Sequence, residues 1–357
     1  MKCTIIGGGI QAVSTGILLE YLGHDTTLLS DVFTYLDGSD ISSVASNYAA
    51  ASVYPVDVDS EHSDDELIAY AESTFEPFYN TDNVPVRKQT RFHLSESSHD
   101  DVIPLRMGAR DIASYDPYVP SRKGKSARNG YVCKEYFVEM PEYMSLLFRT
   151  YRRLGGTLNR RRITPDEVST LPGIVFNCSG YGSRTLFNDD SMRAIKGHIL
   201  MIPAEDLAPF PFSYNYTSTD HNSSVYMYSR QDMILFGGSH LMGTIIDGEW
   251  NGDSPTSPMQ IDDEIVPARV YTVNTDIMSP HANIHKNSIT ATHGYRPYRT
   301  AGIRIEMDAD EIIHNYGHGG AGVSLSWWSA VQAVTHIDTV STSILSSIAT
   351  TLGKTAV

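Results

Sequence analysis

The stretch KCTIIGGGIQAVSTGILLEYLGHDTTLLSD, Lys2 to Asp31, sets the reading of the whole chain. Its run Cys3–Ile6 is short, apolar and partly β-branched, as a buried strand requires. Val13, Ile17, Leu18 and Tyr21 then recur at helical spacing, and DTTLLSD follows as a second short strand. Strand, glycine turn, helix and strand together make a βαβ unit. Gly7, Gly9 and Ala12 form GxGxxA at the strand-to-helix turn. The first glycine permits the tight turn, the second lets a pyrophosphate meet the backbone, and the small third residue lets helix and strand pack closely. Amides at the helix N-terminus then face the phosphates. Asp31 closes the second strand, where an acidic residue binds ribose hydroxyls. The unit predicts a bound dinucleotide, and the turn by itself does not choose between NAD and FAD.

Working outward, the chain of 357 residues exceeds what one compact core usually holds, so two domains are expected. Hydrophobic content of 41% and charged content of 19% are ordinary for a globular protein. A net charge of −15 argues against a nucleic-acid groove, which needs clustered Lys and Arg. No apolar run reaches the roughly 20 residues of a membrane helix. Cys3, Cys133 and Cys178 show neither CxxC nor zinc spacing, so no metal centre is expected; Cys3 and Cys178 lie in apolar runs that predict inert buried thiols, and a reducing, cytoplasmic setting fits. Neither a signal peptide nor a peroxisomal tripeptide is read at the ends.

Residues 56–130 turn acidic and irregular, with DVDSEHSDDE opening a helix to about Tyr79. A helix is expected from Tyr143 to Leu154, then strands in GTLNRRRI, PGIVFNCSGYGSR, GHILMIPA, MILFGGSH and EIIHNY. The polar, tyrosine-rich SYNYTSTDHNSSVYMYSRQD reads as a long loop or lid. Val323 to about Leu352 reads as one long helix. The nucleotide-type pieces lie at both ends and in the middle, so the domains interleave.

IIHNYGHGGAGVSLSWW, Ile312 to Trp328, packs four glycines between Gly317 and Gly322, a costly choice unless main chain must approach something closely. Ala49, Ala50 and Ala51 would let a flat ring lie close, or mark a tightly packed bend. With FNCSGYGS and HGYRPYR, these blocks occur in the order and spacing of the D-amino-acid oxidase family of flavoproteins, which the chain resembles over nearly its whole length. The resemblance implies an α/β Rossmann-like FAD-binding domain (1–56, 142–190, 290–357) interleaved with an antiparallel-sheet, α+β substrate-binding domain (57–141, 191–289). It implies non-covalent FAD, held by Gly7, Gly9, Ala12, Asp31, Ser46, Ala50, Ala51, Ile163, Ser179, Gly319, Gly322, Val323 and Ser324. Gly319 to Gly322 would pass under the flavin, with the positive end of the following helix aimed at the ring.

By the same resemblance, Arg296 would clamp the substrate carboxylate, as a guanidinium fork suits it. Arg299 and Arg304 compete for that part. Tyr226 would hold the carboxylate too, with Tyr228 on the same strand face, and the Gly320 carbonyl would orient the amine. Three positions depart from the family pattern: Asn222 replaces its lid tyrosine, Trp328 its glycine, and Tyr54 a glutamine of common members. His314 and His318 are read as structural. The leading expectation is oxidative deamination of a D-amino acid with O2 as acceptor, and a homodimer is compatible with it. The altered lid leaves open a same-fold amine oxidase or dehydrogenase for a specialised biosynthetic metabolite, and a non-catalytic flavoprotein subunit is the third reading.

Overall fold

The computed structural model describes residues 1–33, 44–47, 49–97, 109–112, 119–125, 127, 129–203, 210–220 and 223–356. Among them the chain forms two compact units, Met1–Arg87 with Val138–Ile195 and Tyr295–Val357, and Lys88–Phe137 with Lys196–Gly294.

The first unit is built on a six-stranded sheet in the order Arg304–Met307, Ile312–Tyr316, Ile174–Asn177, Lys2–Ile6, Asp25–Ser30, Thr157–Arg160. All neighbours pair in parallel except the edge strand Arg304–Met307. Strands buried on both faces need continuous apolar runs, and Cys3, Ile5, Leu28 and Phe176 are buried. Helix Ile10–Tyr21 connects the first two strands, as the opening βαβ pattern requires. Burial pushes the Cys3 and Cys178 thiols up, to about 11 and about 12, which makes them inert.

Helix Asp64–Tyr79 starts with a capping box between Ser63 and Glu66. It belongs to this unit, although the sequence placed 57–87 in the other domain. The reason is aromatic packing: Phe78 stacks on Trp327 at 4.8 Å and Tyr70 on Trp328 at 5.0 Å. The indole of Trp328, out of pattern in the sequence, thus has its partner. The long C-terminal helix is in fact two, Ser326–Val334 and Leu345–Ala356. Ser, Thr and Asp in the intervening DTVSTS compete with the helix for backbone bonds, and Asp338 accepts from the Thr339 amide.

The second unit is built on a ten-stranded sheet. It is not wholly antiparallel, because Val86–Ser95 pairs in parallel with Phe212–Ser218. The stretch expected as a lid is largely a hairpin of Phe212–Ser218 and Ser223–Ser229, with Val225 opposite Tyr216 and Tyr226 opposite Asn215. Asn222 lies outside the described residues. Period-two alternation explains the hairpin: Tyr214, Tyr216, Val225 and Met227 are buried, while Asn215, Tyr226 and Tyr228 are half-exposed. The buried set packs with Phe92, Phe236 and with Val270, Val273 and Ile277 of helix Ala268–Met278. Tyrosine on both faces hid the alternation in composition.

In the first unit, Asp189 accepts from Arg299 Nε at 2.7 Å, from the Tyr316 hydroxyl at 2.6 Å and from Ser191. Burial opposes the charge, yet the hydrogen bonds from Ser191, Tyr316 and Arg299 hold this carboxyl well below the usual carboxylate range. A depressed carboxyl contributes stability above its unfolded value near 4 and loses it as pH falls toward the folded value. Asp189→Asn should therefore cost about 2 kcal/mol at pH 7 and flatten the loss of stability below about pH 4. Denaturant unfolding at pH 7 and pH 3 measures both, and equal stability at pH 7 would contradict the role.

Candidate active site

At the opening turn, Gly7 takes φ +143° and its amide donates to the Leu29 carbonyl at 2.8 Å. A side chain there would meet the Cys178 carbonyl oxygen at 2.4 Å and the Ala12 methyl at 3.2 Å. The glycine and the small third residue are thus demanded by packing as well as by any phosphate. Gly9 caps helix Ile10–Tyr21 with no side-chain hydrogen bond. Ser46 places its hydroxyl oxygen 3.2 Å from the Ile10 amide and accepts from it. Asp31 is exposed just beyond the strand Asp25–Ser30. Ser179, after the strand Ile174–Asn177, donates its hydroxyl to Asn177 at 2.7 Å. Ile163 packs its side chain into a small cluster with Ile6, Leu29, Val168 and Val175, so only its main chain is left for a ligand.

Gly319 and Gly320, expected to pass under a flavin, also lie against the protein's own main chain. Gly319 has φ +52°, and a Cβ on it would lie 1.9 Å from the Asp57 carbonyl oxygen. At Gly320 the clash would be with the Val56 carbonyl oxygen at 2.7 Å, and the Gly320 amide donates to Asp57 at 3.1 Å. These two glycines press on the protein's own main chain at Val56–Asp57. Gly322 has ordinary room, its nearest neighbour being Gln11 Nε2 at 3.5 Å. Gln11 donates to the Gly322 carbonyl at 2.7 Å and so ties the glycine block to the first helix, a residue the motif does not single out. Ser324 donates to the Ser52 carbonyl at 3.3 Å. Ala50 is half-buried; Ala51 is buried at φ +68°, where alanine is uncommon, and accepts from the Val138 amide at 2.9 Å.

Arg296, Arg299 and Arg304 lie close in sequence but have different surroundings. Arg299 pairs with Asp189, and Arg304 pairs with Glu306 at 2.7 Å and donates to Tyr316 at 3.1 Å. Arg296 is half-buried on the strand Thr290–Arg299, in the portion from Tyr295 onward that belongs to the first unit. Asp189, invisible as a site residue in the sequence, anchors that strand through Arg299. His314 bridges Asp308 at 2.9 Å and Asn177 at 3.0 Å. Burial pushes His318 down to about 3, so it is neutral at working pH, and its Nε2 has no partner among the described residues.

In the second unit, Tyr226 lies on the hairpin strand Ser223–Ser229 opposite Gly237. A Cβ at Gly237 would sit 2.1 Å from Tyr226 Cζ, so the glycine makes room for the ring. Donor atoms of His93, Cys133 and Glu135 converge within 4.8 Å, a cluster with no signature in sequence spacing. His93 Nε2 and Glu135 Oε1 are 2.6 Å apart as a hydrogen-bonded pair, and Arg91 Nε lies 3.7 Å from the other carboxylate oxygen. That guanidinium competes with any cation there.

A dinucleotide needs acceptorless amides, and the first unit has them. The Gln11 and Ala12 amides open the first helix without an acceptor among the described residues. Those of Val323 and Ser324, both buried, follow the glycine block in the same state. Buried N–H groups of this kind call for a partner from outside the chain. Phosphate oxygens suit the first pair, and a flavin's carbonyl and ring nitrogen suit the second. The residues present therefore fit FAD. Gly319→Ala should force Asp57 away and strain the backbone, costing about 2 kcal/mol or more. Unfolding of the flavin-free protein measures it, and an unchanged midpoint would contradict the contact.

The family model described as DAO, FAD dependent oxidoreductase, matches residues 2–335. A D-amino-acid oxidase of Dictyostelium discoideum is 29% identical over 218 residues, 59% of this chain and 57% of that protein. A D-amino-acid oxidase of Rubrobacter xylanophilus is 25% identical over 344 residues, 93% of this chain and 94% of the relative. Among solved structures, the L-alpha-glycerophosphate oxidase of Mycoplasma pneumoniae with FAD bound shares the fold, with a TM-score of 0.69 at 13% identity over 93% of each chain. The chain belongs to the DAO family of FAD-dependent oxidoreductases, and FAD is its cofactor.

Proposed function

We infer that the chain oxidises the Cα–N bond of a D-amino acid to an imine, which water hydrolyses to a keto acid and ammonia. The observation that carries the reading is the pair of acceptorless amides at Val323 and Ser324, three and four residues after Gly320. D-amino-acid oxidation is the activity named for the relatives above, and it supports the substrate class. Bound FAD would supply the two-electron acceptor for the Cα hydride, with O2 taking the electrons onward as hydrogen peroxide.

The first unit is the FAD-binding domain and the second the substrate-binding domain in this reading. Gln11 and Ala12 amides, with the Ser46 hydroxyl, take the pyrophosphate. Asp31 takes the ribose, and Ile163 and Ser179 line the cofactor with Ala50 and Ala51. Arg296 holds the substrate carboxylate bidentately, as the resemblance to the family implies and as a guanidinium fork suits it. In the second unit Tyr226 contributes a hydroxyl to a substrate carboxylate, and in the first unit the Gly320 carbonyl accepts from the neutral amine. With the amine already neutral, hydride loss from Cα requires no protein base. This agrees with a neutral His318 and with His314 held between Asp308 and Asn177.

Purified holoenzyme titrated anaerobically with a D-amino-acid panel should bleach its flavin absorbance, and peroxide should appear in air. A flavin that no D-amino acid bleaches would overturn the reading; bleaching by a non-amino-acid amine alone would favour the specialised-metabolite alternative. Arg296→Leu should lower kcat/KM for carboxylated substrates by about 10- to 100-fold, chiefly through KM. Unchanged steady-state kinetics would remove Arg296 from the site.

A further inference from the structure

Arg91, on the strand Val86–Ser95 of the second unit, has a side chain only 3% exposed. Its Nη2 donates to Asn215 Oδ1 at 2.8 Å and to the Tyr228 hydroxyl at 2.9 Å. The guanidinium carbon lies 4.2 Å from the centre of the Tyr228 ring, a cation–π contact that also fixes its plane. Nε and Nη1 have no hydrogen-bond partner among the described residues. Glu135 Oε2 approaches Nε to 3.7 Å, too far for a hydrogen bond, and its other oxygen is taken by His93. A guanidinium keeps its charge and carries five N–H bonds, so three of the five are buried without an acceptor. Native structures rarely tolerate that unless something outside the chain supplies the acceptor.

The place of this arginine in the sheet says which molecule that is. Tyr226 stands opposite Asn215, and Asn215 opposite His93, across three neighbouring strands. Arg91 and Tyr228 lie two residues along from His93 and Tyr226, so side-chain alternation puts all five on one face. The opposite face carries Phe92, Tyr214 and Met227 into the apolar core. The rings of Tyr226 and Tyr228 are 5.0 Å apart, which joins the arginine to the tyrosine assigned above to the substrate carboxylate. An amino acid brings only one further anionic group besides its α-carboxylate, that of an acidic side chain.

We propose that Arg91 is a specificity-determining residue that receives the side-chain carboxylate of the substrate, making acidic D-amino acids the preferred class. The proposal rests on the oxidase reading and on the part given there to Tyr226. Asn215 and Tyr228 hold the guanidinium in place, and Glu135 offsets part of its charge until the substrate arrives. A neutral side chain would leave the buried N–H groups unpaired, which is how such a site rejects the wrong substrate.

The test has a turnover arm and a binding arm, both on the holoenzyme. Wild type should show kcat/KM for D-aspartate or D-glutamate at least about 10-fold above that for D-alanine. Arg91→Met should remove that preference, lowering the acidic substrates about 100-fold through KM while D-alanine changes little, and Arg91→Lys should restore part of it. In the second arm, malonate, succinate and glutarate should perturb the flavin spectrum at lower concentration than acetate, propionate and butyrate. Preference for neutral D-amino acids, or equal binding of mono- and dicarboxylates, would overturn the proposal. Should Arg91→Met fail to fold, the wild-type dicarboxylate comparison decides alone. Tight dicarboxylate binding without oxidation of any D-amino acid would support the anion site and count against the oxidase reading, so the two failures separate.

Discussion

Main chain pressed on main chain at Gly319–Gly320 and Val56–Asp57 is the contact from which the rest of the first unit's site follows. With no Cβ in the way, the glycine turn comes close enough for the Gly320 amide to bond Asp57, and this fixes where the next residues go. Gly322 then meets Gln11 of the first helix, and Ser324 meets Ser52. The amides of Val323 and Ser324 come at the end of that chain of contacts, buried and without an acceptor. A fold that leaves them so is incomplete until a ligand supplies one, and the family's cofactor has the acceptor atoms. Three dissimilar segments, near residues 10, 52–57 and 319–324, are thereby locked together in one unit.

The sequence made legible whatever depends on local geometry. GxGxxA reports a turn that Gly7 and Ala12 fill sterically, and period-3.6 and apolar runs placed the helices and the buried parallel strands. What it hid depends on partners distant in the chain. Trp328 looked anomalous until Tyr70, more than two hundred residues earlier, stacked on it. Asp189 sits in an unremarkable FNDDS and acquires its role only from Arg299 and Tyr316. The glycine block was recognised, but its spacing did not show that Gly319 and Gly320 also press on Val56–Asp57, with the acceptorless Val323 amide three residues after Gly320. Spacing locates such a turn but cannot say which side of it faces protein.

The misread hairpin has a different cause. Burial in a strand is read from polarity, and tyrosine carries both an apolar ring and a polar tip. Tyr214 and Tyr216 point into the core, where Tyr214 finds Asn274 and Tyr216 finds Glu96, while Tyr226 and Tyr228 occupy the opposite face. A composition that looks uniformly polar therefore codes a two-faced strand pair. Its polar face collects Arg91, His93, Asn215 and Glu135 from strands far apart in sequence, and only pairing register brings them together.

Charge sets a last constraint on how such a protein meets an anionic substrate. At −15 the chain as a whole repels carboxylates, but beyond a Debye length of about 8 Å at physiological salt that repulsion is screened. Capture must then be local, from cations in low-dielectric surroundings whose fields are little screened. The arginines divide accordingly. Arg299 and Arg304 are neutralised by Asp189 and Glu306 and hold the fold together. Arg91 is the contrasting case: its nearest carboxylate is shared with His93 and too distant to hydrogen-bond, so most of its donors remain unsatisfied. Each acidic partner the fold withholds from a buried guanidinium is attraction kept for a ligand, and acidity elsewhere on the chain does not diminish it.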